Sequence, residues 1–142
     1  MSNIAYENEI FEAITAADEA LEKLYEAKNS LTSARNWGIF DMVGGGLVAT
    51  AIKRKKMSNA QKIMNNAKQA LEKFEDEIDD IDDIIELNFD MSDFVSFADY
   101  FFDGFFSDFV VQNRINEANS KLNWIIKQIE TIRKDLIEEL NS

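Results

Sequence analysis

Three aspartates stand where a proton donor would be useful. Asp41 precedes the run Gly44, Gly45 and Gly46, and Asp103 and Asp108 are interleaved with phenylalanines around Gly104. A carboxyl group packed among apolar rings has its ionised form desolvated, which raises its pKa and suits general acid chemistry. No activated nucleophile accompanies them. The chain contains no histidine and no cysteine, which removes imidazole bases, Ser-His triads, thiolate nucleophiles and sulfur- or imidazole-ligated metals.

The three glycines suggest a second kind of chemistry. Consecutive glycines expose backbone N–H groups, a helix restarting near Gly46 would aim its positive end at them, and Lys53 opens the basic run Lys53-Arg54-Lys55-Lys56. Together these features would suit an anion. The spacing differs from a Walker loop, because the glycines lie together and no Lys-Ser or Lys-Thr follows them. The structural alternative is a tight corner: an ordered glycine costs roughly 1 kcal/mol relative to alanine, so three in a row imply a close approach or an unusual turn. Lys53 and its neighbours would then be a solvated turn.

A third candidate is the acidic run 75–86, EDEIDDIDDIIE. An aspartate-rich helix can hold magnesium against a diphosphate, but that arrangement needs a second such motif and a larger cavity. The run reads instead as the solvated face of a core helix whose isoleucines point inward. No metal and no cofactor are assigned.

The elements that must position these residues are helices. With 142 residues, 46% of them hydrophobic, and no proline, the chain can bury a substantial core in long unbroken helices. Over 4–35, Ile10, Ala17, Leu24 and Leu31 recur every seven residues, beside Ala13, Ala20, Ala27 and Ala34. The alanine row predicts an unusually close neighbour. A helix beginning at 47 or 57 and running to 87 carries a heptad seam through Met64, Ala67, Leu71, Phe74, Ile78, Ile81 and Ile85. Between 94 and 111 lie Phe94, Phe97, Tyr100, Phe101, Phe102, Phe105, Phe106 and Phe109, spread over more than half a helical circumference and so requiring partners on two sides. From Ile115 a seam resumes through Ala118, Leu122, Ile125, Ile129, Ile132 and Leu136, flanked by Trp124, Ile126 and Ile137. Extended backwards, that frame misses Phe105 and Phe109, so a kink or break is expected near Gln112-Asn113. The fold class is all-α: one domain, an antiparallel bundle of long amphipathic, coiled-coil-like helices, with four helices favoured over three.

Segments 37–53 and 99–115 resemble a pair of motifs in uncharacterised bacterial helical proteins, of the form WGxxDxxGGGLxAT and DxFFDG. The resemblance implies that the two segments belong together. It brings no activity, ligand or catalytic residue. If they meet, a ligand site would draw on Trp37, Asp41, Gly44, Gly45, Gly46, Lys53, Asp103 and Gly104.

Charge limits the partners. The formal net charge is −12, and nucleic-acid binding needs clustered Lys and Arg, so no nucleic-acid partner is expected. The four basic residues of 53–56 contrast with fourteen acidic and three basic residues over 57–111, which would make the bundle strongly dipolar. The most apolar windows, 38–52 and 94–111, contain aspartates, and the first residues lack the basic flank and apolar run of a signal peptide. The expectation is therefore a cytoplasmic protein; contact of 38–56 with an anionic membrane surface remains a weaker alternative. Wide apolar faces and surplus aromatics favour a non-catalytic role in protein–protein interaction, with a homodimer as the first expectation.

Overall fold

The computed structural model describes residues 2–36, 47–82, 91–110 and 114–141. Four α-helices follow in chain order: α1 (Ser2–Asn36), α2 (Leu47–Asp82), α3 (Met91–Asp103) and α4 (Ile115–Asn141), with a π-helix (Phe105–Val110) continuing α3. There is no strand among the described residues. The all-α bundle with four helices is thus the observed architecture. The second helix starts at Leu47, so Ser58 and Gln61, although spaced like a capping box, lie inside it.

Each helix runs antiparallel to the next. Lys73 of α2 meets Glu19 of α1, Lys68 of α2 meets Asp103 of α3, Trp124 of α4 meets Phe97 of α3, and Arg133 of α4 closes back on Asp18 of α1. Chain neighbours are therefore spatial neighbours around a four-sided bundle. α1 packs along both α2 and α4, whereas no described Cα of α2 comes within 8 Å of one in α4. The π-helix and α3 fill the space between those two.

The asymmetry follows from side-chain volume. On α1, Ala13, Ala16, Ala17, Ala20 and Ala27 are all at most 2% exposed, so α2 and α4 can approach its backbone. On the opposite wall Phe94, Phe101, Phe105 and Phe109 point inward and meet Phe74 and the isoleucines of α2 and α4 in one continuous cluster. None of the described buried side chains is polar or charged. Each large apolar side chain so buried contributes roughly 1.5–3 kcal/mol.

Buried positions along the third wall are Phe94, Ala98, Phe101, Phe105 and Phe109, in steps of four, three, four and four. Two consecutive steps of four would carry an α-helical side chain about 80° away from the core. The π-helix widens the turn, so a four-residue step keeps Phe105 and Phe109 inward. Its signature is the N–H of Arg114 donating to the carbonyl of Phe109 at 2.6 Å, a five-residue reach, after four-residue bonds from Gly104 to Tyr100 (3.1 Å) and from Asp108 to Gly104 (2.8 Å). The phase slip expected between the Phe-rich segment and α4 is thus absorbed mainly at 105–110. Residues 112 and 113, where the sequence places the break, lie outside the described set.

Replacing Ala20 by Leu should force α1 away from its neighbours and lower stability by about 1–3 kcal/mol in urea unfolding. Asn8→Leu on the exposed face should stay within about 0.5 kcal/mol of the parent.

Candidate functional site

Antiparallel topology brings the end of α1, the start of α2, the π-helix and the start of α4 to one end of the bundle. Both resemblance segments border that end. Of the eight residues expected to form a site, Trp37, Asp41, Gly44, Gly45 and Gly46 lie outside the described residues, as does the side chain of Lys53. Convergence of the glycine run on Asp103 and Gly104 is therefore not part of the described geometry.

Asp103 and Gly104 take roles other than those the sequence suggests. Asp103 is not a carboxyl group buried among phenylalanines: its side chain is 65% exposed and accepts a bond from Lys68 Nζ at 2.8 Å, an exposed tie between α3 and α2. An exposed pair of this kind contributes about 0–1 kcal/mol. At Gly104 the nearest described atoms belong to its own wall. A Cβ there would fall 2.3 Å from Oδ2 of Asp108, in the next turn of the same wall. Ser107 Oγ donates to the Gly104 carbonyl at 3.3 Å, so the turn is closed by its own side chains.

Beside this turn lies an aromatic groove between α3 and α4. Trp124, 38% exposed, packs on Phe97 with ring centroids 4.4 Å apart and lies 6.3 Å from Phe94. Tyr100, one turn on from Phe97, is 73% exposed. Lys121 Nζ sits over the Phe97 ring at 5.3 Å, and the guanidinium of Arg114 lies 5.7 Å from the Phe109 centroid while bonding Glu117 at 2.5 and 2.7 Å. Cations here hold aromatic faces in place at the surface of an otherwise acidic molecule. The sequence marks Trp124 as flanking the α4 seam but gives no sign of the Phe97–Trp124 contact, because that pairing depends on the register of α3 against α4.

Acidic groups collect on the other two seams of α2. Most of the 75–86 run that is described is solvated as expected, with Asp76, Asp79 and Asp80 exposed. Glu75 and Glu77 are the exceptions, each half-buried with one carboxylate oxygen that is enclosed and has no hydrogen-bond partner. Glu75 faces α3. Burial pushes its carboxyl up to about 7, reinforced by Asp99 across the seam and by Glu72, Asp76 and Asp79. Glu77 faces α1, where its oxygens and those of Glu9 and Glu12 lie within 4.8 Å of one another. Its pKa is raised by burial first, then by Glu12, Asp80 and Glu9. Those three carboxylates are the described residues that could hold a metal ion; exposed acidic groups commonly gather without one. Both glutamates occupy positions flanking the α2 heptad seam, the one signal in the sequence that could have set them apart from their solvated neighbours.

Comparison with known protein families, with curated proteins and with solved structures finds no match. No described helix is long and apolar enough to cross a membrane.

Gly104→Ala should displace the Asp108 carboxylate and lower the unfolding midpoint. Asp108→Ala in the same chain should recover the loss, a coupling on the order of 1 kcal/mol by a double-mutant cycle.

Proposed function

We propose that this chain is a non-catalytic bundle acting through protein–protein interaction, and that the α3–α4 groove is its docking face, with a second copy of the chain as first partner. The observation that carries the reading is the partly exposed Trp124 packed at a tilt against Phe97, one turn before Tyr100, which is 73% exposed. Tryptophan, tyrosine and arginine dominate the energetics of interfaces, because they bury large rigid area while keeping a polar handle. Arg114 lies over the buried Phe109 ring and Lys121 over Phe97, the ring that Trp124 packs against. The anion reading of Gly44 to Gly46 with Lys53 rests on residues outside the described set.

Sedimentation velocity from low to high micromolar concentration tests the proposal. The parent chain should self-associate, and Tyr100→Ser with Trp124→Ser should weaken association at least about tenfold, or ~1.4 kcal/mol, with far-UV CD unchanged. Added salt separates the candidate partners. Two copies each carrying −12 repel, so screening should tighten their pairing, whereas a basic partner would be released. A chain that stays monomeric throughout, or a double variant that associates like the parent, overturns the reading.

A further inference from the structure

The α2–α3 seam carries a feature that docking does not use. Oε1 of Glu75 is enclosed without a hydrogen-bond partner, and the groups facing it are carboxylates: Asp99 from α3, and Glu72, Asp76 and Asp79 from its own helix. Lys68, two turns before Glu75 on α2, bonds Asp103 one turn beyond Asp99, and its charge also acts on Asp99 and Glu72. Burial of Oε1 beside other carboxylates favours the protonated form of Glu75. α3 is also the least anchored long element. Its backbone approaches α2, α4 and the π-helix, but none of its described Cα atoms lies within 8 Å of one in α1, whereas α1 packs along both α2 and α4.

We propose that Glu75 is a proton-operated latch: protonated, it lets α3 seat against α2; ionised, it repels Asp99 and frees α3 from the bundle while α1, α2 and α4 stay assembled. The sign follows from linkage. A carboxyl whose folded pKa lies above its ordinary value of 4.5 binds its proton more tightly in the seated state, so the seam weakens as pH rises from that value through about 7. Elements with few buried contacts open locally before the whole chain unfolds. Because Trp124 belongs to the proposed docking face, its emission is read at a concentration where sedimentation shows the monomer, which keeps the latch apart from association.

The chain has two tryptophans, so a Trp37→Phe background leaves Trp124 as the sole reporter of α3. Its emission should move to longer wavelength between about pH 5.5 and about 8.5, with a midpoint near 7 and most of the far-UV CD retained. Glu75→Gln should abolish the transition and keep Trp124 packed against Phe97 across the range. Asp99→Asn removes the repulsion across the seam and should shrink the shift in Trp124 emission, and it serves as the deciding variant should Glu75→Gln not fold. A transition unchanged in these variants, a flat profile in the parent, or loss of all helicity together with the Trp124 signal overturns the latch.

Discussion

Five buried alanines on one face of α1 remove the side-chain volume that would hold its neighbours off, and the placement of every other helix depends on that approach. With α2 and α4 drawn close to α1, the space between them on the far side has to be filled. Phenylalanines fill it. Phe94, Phe101, Phe105 and Phe109 supply from one short wall the bulk that α1 withholds, and the bundle becomes narrow on its alanine side and broad on its aromatic side.

That division of labour explains why irregularity concentrates in the third wall. A helix with an inward residue at every fourth position cannot remain α-helical and keep facing the core, so the backbone widens into a π-helix. Surplus aromatics follow from the same breadth. Phe97 and Tyr100 lie on the edge of the wall, where α4 supplies Trp124 but nothing described covers Tyr100. Packing demand and exposed interaction surface are thus two consequences of one broad helix.

Electrostatics oppose the fold more than they support it. Like charges face each other across both long seams of α2, with Glu77 against Glu9 and Glu12 on one side and Glu75 against Asp99 on the other. The ion pairs that cross between helices, Lys68–Asp103, Lys73–Glu19 and Arg133–Asp18, are all substantially exposed and individually weak. Apolar burial therefore holds the bundle together, and the half-buried glutamates are tolerated at a cost that depends on pH. Tyr6, whose hydroxyl donates to Glu139, is pushed up to about 12 by burial and by that carboxylate, so it ties the ends of α1 and α4 as a neutral phenol throughout the neutral range.

Much of this architecture was legible from spacing alone. Heptads through Leu24, Leu71 and Leu122 specify three long helices, the alanine row specifies where they come closest, and the breadth of the Phe-rich segment requires a fourth wall, since each of these is a property of one helix surface. The site was legible only in part. Asp103 reads as a buried acid because phenylalanines surround it in sequence, yet a helix turns it outward to Lys68. Gly104 reads as a member of a ligand site, and the described geometry adds that the carboxylate of Asp108 folds over it. Which residue meets which across two helices depends on register and tilt, and these are decided by the volumes of all the side chains in the core at once. Helices, their faces and the need for a fourth wall were thus determined by local periodicity, whereas the Phe97–Trp124 contact, the π-turn and the confinement of Glu75 against Asp99 were decided only by tertiary packing.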